Sequence, residues 1–334
     1  MLTIRAMSDG RGYSSRHLEH GDYYAEGERV LGRWQGQGAE LLGLTGEVKQ
    51  KDFESLREGL DPRSGEFIRQ RKSADRLMPD GAIQSRGRNL YDFTISAPKS
   101  VSVMATLGGD KRLVAAHEKA VAEALREIES HAGARVRLNK ANDNRVTRNM
   151  VIALYRHDAS RELDPQIHTH AVAANLTYDN TEKRWKALQA SGIYDRRSYL
   201  TEVYRNALAR EVRSLGYEIE AKRDSRGKDQ GFELRGIPGE LLTKYSQRSR
   251  QRDRAIKQFV DKTGRQPTDN EVAILVRDTR ADKLIEVSTE EVTRRQHSRL
   301  TPDESRLLSR LKPGKGITPP LLHSGEASLE YAKD

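Results

Sequence analysis

Two apolar segments joined by a short polar stretch constrain the fold of this chain more than any other feature. The segments "RNMVIALYRH" (148–157) and "HTHAVAANLTY" (168–178) have the composition of β-strands, and the polar residues between them form a loop. Together they predict a β-hairpin.

Three of the nine histidines in the chain lie where these two strands face each other. Side chains alternate along a strand, so His168 and His170 point to the same face. His157 ends the preceding strand, and paired strands lie ~4.8 Å apart. The three imidazoles are therefore predicted to bind one metal ion and to leave positions open for substrate or water. The chain has no cysteine, so other metal ligands can come only from Asp or Glu. The remaining histidines are interpreted as ordinary surface or core residues: His17, His20, His117, His131, His297 and His323.

The chemistry of such a site depends on its neighbours. The ion can activate water for hydrolysis, or it can act as a Lewis acid on a phosphodiester. No glutamate follows the H-E-x-x-H spacing of a metalloprotease. Tyrosines near the start of the chain can attack phosphorus instead and form a covalent intermediate.

The rest of the chain predicts an α/β fold. Strands are expected over 1–7 and 89–96, amphipathic helices over 111–133 and 197–216, and a hairpin over 217–236. We expect a two-layer sandwich with a central antiparallel sheet over 1–236. A basic helical segment follows over 237–310, and 311–334 has the composition of a linker toward a further part of a longer protein.

Charge favours an acidic partner. The net charge is +10, and the segment 244–265 carries eight Lys or Arg against two Asp. A solvated helix face and a contact with the DNA backbone both explain that segment, and the overall charge favours DNA. No apolar run reaches the length of a membrane span and no signal peptide is visible, so the expected location is cytoplasmic. No P-loop motif is present, which places any helicase activity outside these residues.

Several blocks resemble one known family. "DFTISAPKSVSV" (92–103), "DPQIHTHAV" (164–172) and an N-terminal Tyr followed by a Tyr-Tyr pair are similar to conjugative relaxases of the MobF class, within the HUH endonuclease superfamily. The likeness runs from residue 1 to about 240. It implies a two-layer palm and C-terminal helical "fingers" that close over DNA. It also implies site- and strand-specific nicking at a transfer origin through a covalent 5′-phosphotyrosine, followed by religation.

The resemblance assigns roles residue by residue. His157, His168 and His170 match the metal ligands, and Asp92 matches an acidic residue that orients a histidine or helps to deprotonate the nucleophile. Tyr13 matches the first nucleophile; it is followed by Ser14, where many relatives have a second tyrosine. Tyr23 and Tyr24 match the second tyrosine pair, with packing or base stacking as the alternative. Arg161 matches a phosphate-binding arginine, with an ion pair to Glu162 or Asp164 as the alternative. The basic residues expected to contact DNA are Arg248, Arg250, Arg252 and Arg254.

The resemblance also implies a cofactor and partners. The expected cofactor is a divalent metal ion, Mg or Mn in cells, although three histidines also suit Zn, Ni or Co. The expected partners are single-stranded DNA at the nick site, an adjacent DNA hairpin, accessory relaxosome proteins and a secretion coupling protein. The protein would act in the donor cell and enter the recipient with the DNA.

Three other functions remain open on the residues alone. One is a rolling-circle replication initiator of the same superfamily. Another is a metal-containing DNA-binding module without catalysis. The third is a metal hydrolase that forms no covalent adduct.

Overall fold

The computed structural model describes most of the chain. The described residues are 1–7, 32–68, 76–77, 83–84, 87–138, 141–224, 227, 229–268, 271–272, 274–275 and 288–314. Tyr13, Tyr23 and Tyr24 lie outside them.

The strands of the described part are mostly short and antiparallel. They are β1 (Leu2–Met7), β2 (Arg33–Gln35), β3 (Arg76–Leu77), β4 (Ile83–Gln84), β5 (Leu90–Ser96), β6 (Gly133–Leu138), β7 (Ala141–Val146), β8 (Ile152–Ala159), β9 (Pro165–Ala174), β10 (Thr177–Asp179), β11 (Arg184–Lys186), β12 (Leu188–Gln189), β13 (Ile219–Arg223) and β14 (Asp229–Leu234).

The helices connect and cover the strands. They are α1 (Gln37–Leu41), α2 (Gln50–Glu58), α3 (Lys99–Thr106), α4 (Arg112–Ser130), α5 (Ser191–Asp195), α6 (Arg197–Ser214), α7 (Gly239–Lys244), α8 (Gln247–Thr263), α9 (Thr289–Ser298) and α10 (Pro302–Leu311). None of these helices is both long and apolar enough to cross a bilayer.

The central sheet has the strand order β1-β5-β9-β8-β2, and each neighbouring pair is antiparallel. The predicted hairpin consists of β8 and β9 and lies in the middle of this sheet. β5 pairs with the side of β9 that faces away from β8. Strands that are adjacent in the sheet are therefore not always adjacent in the sequence. β5 precedes β9 by about 70 residues, yet every residue of β5 pairs with β9. The strand alternation in "NLYDFTIS" predicts β5 but not its partner.

The two faces of the sheet have different cover. On one face Phe93, Ile95 and Ala171 pack with buried residues of α3, α4 and α6 in the largest hydrophobic cluster. On the other face Val172 and Tyr155 belong to a second cluster formed with α1, α2 and β2. The expected α/β sandwich with a central antiparallel sheet is confirmed. Both long amphipathic helices, α4 and α6, lie where the periodicity predicts them, within a few residues at the ends.

Several elements have no clear signal in the sequence. The hairpin of β6 and β7 follows α4 directly. The segment "KRWKAL" (183–188) contains the short strand β11, which pairs with β10 in a separate small sheet rather than with β8 and β9. Short polar strands lack the apolar alternation on which sequence-based prediction depends.

The basic C-terminal segment packs on the same core as the sheet. Ile237, Leu241, Tyr245 and Leu308 are buried members of the large cluster that contains the α3 and α4 side chains. Further along, Lys312 Nζ donates to the carbonyl oxygen of Gly109 at 3.0 Å. Helices α7 and α10 are thus held against the sandwich by apolar burial.

Candidate metal centre and nucleic-acid interface

The three histidines of the predicted site lie together on the second face of the sheet. His157 in β8 is directly opposite His168 in β9, and His170 is two residues further along β9. The ring centroids are 5.3 Å apart for His157 and His168, 5.5 Å for His157 and His170, and 5.2 Å for His168 and His170. The register shifts just after His157, where a bulge ends the regular pairing. The structure therefore brings together the three rings that strand alternation predicted.

The backbone fixes the tautomer of His168. Its Nδ1 lies 2.9 Å from the carbonyl oxygen of Gln166. A carbonyl oxygen only accepts, so Nδ1 carries the proton and the lone pair of the neutral ring is on Nε2. His168 is nearly buried, at 6% exposure.

A carboxylate fixes the tautomer of His170. Asp92 Oδ2 lies 2.9 Å from His170 Nδ1, and this carboxylate is buried in β5. Thr94 Oγ1 lies 3.2 Å from both Asp92 Oδ1 and His170 Nδ1, on the same strand face. Such outer partners orient a metal-binding imidazole and raise the basicity of its other nitrogen. Asp92 thus lies beside one of the three histidines of the predicted site.

The three ring centres have the spacing expected of imidazoles around one divalent cation. A metal–nitrogen distance of about 2.1 Å and a tetrahedral angle separate two ligand ring centres by about 5 Å. All three observed separations, 5.2 to 5.5 Å, agree with that value. His168 and His170 each have Nδ1 in a hydrogen bond. The three candidate donors are imidazole nitrogens, the type of ligand that suits Zn, Ni, Co and Cu.

A buried polar chain supports the site from the opposite face. Thr169 lies between the two β9 histidines and points into the core, where its Oγ1 is 2.9 Å from His117 Nε2. His117 Nδ1 is in turn 2.7 Å from the hydroxyl of Tyr204. Burial lowers the pKa of His117 to about 3, so the ring is neutral and its two nitrogens share one proton. His117 is a core histidine with hydrogen-bond partners, as interpreted from the sequence.

The "DFTISAPKSVSV" block supports the start of β9. Lys99 Nζ donates to the carbonyl oxygen of Pro165 at 2.8 Å, and Ser102 Oγ accepts from the backbone N–H of Ile167 at 3.0 Å. Burial lowers the pKa of Lys99 to about 8. These contacts fix the backbone immediately before His168. The block thus has a structural role beside the histidines that its sequence does not reveal.

The basic residues expected to contact DNA lie in two places. Arg161 is exposed in the loop between β8 and β9, the loop that joins the histidine strands. The other four lie on α8, where Arg250, Arg252 and Arg254 are exposed. Arg252 pairs with Asp253 at 2.8 Å. Arg250 and Arg254 are one helical turn apart, so they present their guanidinium groups on one side of α8.

Sequence reasoning missed several supporting groups of the site. Thr94 is two residues from Asp92 in a predicted strand, so alternation could have placed it on the same face. The contact of His168 with the carbonyl oxygen of Gln166 is local, but no residue type signals it, because any residue has a backbone carbonyl. The contact of Lys99 with Pro165 has no signal in the sequence, because it depends on the packing of distant segments.

Comparison with known proteins supports one family. The family model described as TrwC relaxase matches residues 7–302. The multifunctional conjugation protein TraI of Escherichia coli (strain K12) is 41% identical over 246 residues, which is 69% of this chain. A second Escherichia coli TraI is 40% identical over the same length. The chain spans only 13% of the length of these relatives.

Solved structures of the conjugative relaxase TrwC are similar over almost their whole length. A metal-bound complex with oriT DNA has a TM-score of 0.72 at 31% identity, covering 92% of this chain and 98% of that one. A copper-bound complex with oriT DNA has a TM-score of 0.73 at 32% identity, with the same coverage. A TrwC complex with a 27-mer DNA comprising the recognition hairpin and the cleavage site has a TM-score of 0.71 at 30% identity, again covering 92% of this chain and 98% of that one. The resemblance to MobF relaxases is thereby confirmed, and the chain belongs to the TrwC relaxase family.

Proposed function

We propose that this chain is a metal-dependent, strand-specific DNA nickase and strand transferase that acts at the transfer origin of a conjugative element. The observation that carries the proposal is the set of three imidazoles, 5.2 to 5.5 Å apart, with two of the rings oriented by outer hydrogen bonds. Membership of the TrwC relaxase family supplies the substrate class, since the TrwC structures contain oriT DNA.

His157, His168 and His170 are proposed to bind the cation, with Asp92 and Thr94 orienting His170. When bound, a divalent cation neutralises charge on the non-bridging oxygens of the scissile phosphate. We propose Mg or Mn as the ion used in cells, because these ions predominate where phosphodiesters are processed. The nitrogen donors also suit Zn, Ni, Co and Cu.

Tyr13 is proposed as the nucleophile, on sequence resemblance. Its oxygen forms a bond to phosphorus while the bond from phosphorus to the 3′ oxygen breaks. The phenolic proton leaves and the 3′ oxygen gains one, so the products are a 5′-phosphotyrosine and a free 3′-OH. One phosphodiester replaces another, and religation by the reverse step needs no nucleotide cofactor. Tyr23 or Tyr24 is proposed for a second transfer.

The DNA strand is proposed to follow the basic side of α8. Arg250 and Arg254 present an exposed pair of cations there, and Arg161 presents another in the loop next to the histidines. Arg248 and Arg252 are proposed as weaker contributors, because Arg248 donates to Gln251 and Arg252 pairs with Asp253. Phosphate contacts of this kind fix register and supply most of the salt-dependent affinity.

The segments of the chain are proposed to divide this work. Residues 1–236 form the catalytic palm, 237–310 clamp DNA, and 311–334 connect to a helicase part. We also propose a DNA hairpin next to the nick, accessory relaxosome proteins and a secretion coupling protein as partners. We also propose that the protein acts in the cytoplasm of the donor cell and enters the recipient with the DNA.

Adduct formation tests the central step. The protein is incubated with a divalent metal and single-stranded oligonucleotides that tile the DNA beside its own gene. We expect an SDS-resistant mass shift that disappears with EDTA and in Tyr13→Phe. Tyr199→Phe is the matched control, because Tyr199 is an exposed tyrosine of α6 whose loss should leave the adduct intact.

Other outcomes of this assay would indicate a different function or a different nucleophile. A cleaved strand without an adduct indicates a hydrolase. Metal and DNA binding without either product indicates a binding module. An adduct that survives in Tyr13→Phe moves the nucleophile to Tyr23 or Tyr24.

A further inference from the structure

The loop between the two histidine strands makes an unusual set of contacts with the C-terminal helices. Asp164 lies in this loop, four residues before His168, and its side chain is only 1% exposed. Its carboxylate accepts from the backbone N–H of Gln247 at 2.7 Å, from Gln247 Nε2 at 3.0 Å and from Arg299 at 2.7 Å. We call Asp164, Gln247 and Arg299 the latch.

The latch caps the basic helix α8. Gln247 is the first residue of α8, and the preceding Ser246 provides no side-chain cap because its Oγ donates to Leu242. Asp164 therefore supplies the acceptor from another part of the chain. A carboxylate at this position also interacts favourably with the positive end of the helix dipole.

The loop itself is shaped to present this carboxylate. Leu163 has a φ of 58°, in the left-handed region that leucine rarely adopts. The turn is closed by hydrogen bonds from Leu163 N to Ser160 O at 2.9 Å and from Ser160 N to Asp164 O at 2.8 Å. Leu163 is buried against Val292 of α9, and its carbonyl oxygen accepts from Gln296 at 2.9 Å.

Arg299 extends the latch to two more helices. Its guanidinium lies 4.4 Å from the centre of the Tyr245 ring and also donates to the carbonyl oxygen of Lys244, at the end of α7. Tyr245 is fully buried and its hydroxyl donates to Gln296 O at 2.7 Å. Thus α7, α8 and α9 all meet at the loop that joins His157 and His168.

We propose that Asp164 is a positioning residue that sets the basic side of α8 in register with the metal centre. The carboxylate connects one end of the helix that carries Arg250 and Arg254 to the hairpin that carries the three histidines. Phosphates bound on α8 and the phosphate at the histidines are then separated by a fixed length of DNA strand. This inference rests on the proposed function.

A double-mutant cycle on DNA affinity tests it. Affinity for a single-stranded oligonucleotide is measured against salt concentration for Asp164→Ala, for Arg250→Ala with Arg254→Ala, and for the triple variant. Losing two phosphate contacts should lower the slope of log K against log salt by about 1.4. If Asp164 acts by placing those arginines, Asp164→Ala should lower the slope similarly, and the triple variant should show no further loss.

Controls separate positioning from general destabilisation. Glu304→Gln weakens the Lys244–Glu304 pair, at 2.7 Å, which joins α7 to α10 without touching the loop, and its slope should equal that of wild type. Asp164→Asn retains an acceptor for Gln247 N but loses the charge opposite Arg299, so it should give an intermediate slope. It also replaces Asp164→Ala if that variant does not fold.

The position of α8 can also be measured directly. The chain has no cysteine, so spin labels attach only at introduced sites, Ala115→Cys on α4 and Gln258→Cys on α8, both exposed. Asp164→Ala should broaden the distribution of distances between them. An unchanged slope, additive losses in the triple variant or an unchanged distribution would overturn the inference. The proposed function is judged separately, by adduct formation in the wild-type protein.

Discussion

Substitution of Asp92 by Asn should weaken metal binding without removing a metal ligand. The Asp92 carboxylate lies 2.9 Å from His170 Nδ1 and is buried, so it favours the tautomer with the proton on Nδ1. An asparagine can offer either its oxygen or its amide nitrogen to that ring. The second orientation favours the tautomer in which Nε2 carries the proton and cannot bind the ion.

The size of the effect follows from the role of this partner. Loss of a carboxylate that supports a histidine ligand typically costs about 10- to 100-fold in metal affinity. That range corresponds to about 1.4 to 2.8 kcal/mol. Thr94→Val should have a smaller effect, because Thr94 Oγ1 is 3.2 Å from both Asp92 Oδ1 and His170 Nδ1 and leaves the carboxylate in place.

Calorimetric titration of EDTA-treated protein with Zn²⁺ or Mn²⁺ measures the change. Asp303→Asn is the control, since Asp303 is 86% exposed on α10. Adduct formation at saturating metal then separates the two roles expected of Asp92. Recovery at high metal indicates orientation of His170, whereas a persistent loss indicates proton transfer from the nucleophile. An unchanged metal affinity in Asp92→Asn would show that Asp92 does not orient His170 for metal binding.

Two further predictions concern stability. The pKa of His117 is about 3 in the folded protein, whereas an unfolded histidine has a pKa near 6.5. Between these pH values the unfolded state binds more protons, so stability falls as pH decreases from 6.5 toward 3. In urea unfolding with EDTA present, the free energy of unfolding of wild type should fall by up to about 1.4 kcal/mol per pH unit more than that of His117→Gln. Parallel plots of this free energy against pH would contradict the prediction. Gly36 and Gly46 both have positive φ, but an added Cβ would clash with Met150 O at Gly36 and would meet nothing within 4 Å at Gly46. Gly46→Ala should therefore cost about 1 kcal/mol and Gly36→Ala clearly more, measured by the same unfolding assay; equal losses would show that the backbone near Met150 relaxes.

The local elements of this protein follow from short stretches of its sequence. Alternation placed His168 and His170 on one face, and the short connection to the preceding strand brought His157 alongside them. Helical periodicity located α4 and α6, and the motifs around Asp92 and the histidines identified the family. Each of these signals depends on residues close together in the chain, where strand and helix geometry alone relates side chains.

The contacts between distant segments can be seen only in the folded chain. The Asp92–His170 contact requires β5 to pair with β9, and the latch joins Asp164 to Gln247 and Arg299 across 83 and 135 residues. Lys99 likewise reaches Pro165 only because α3 packs against the start of β9. These pairings are selected by the burial of apolar surface on both faces of the sheet. That burial depends on many residues that are far apart in the sequence, so no short motif encodes it. The proposed metal ligands can thus be located from the sequence, whereas the groups that orient two of them became visible only in the fold.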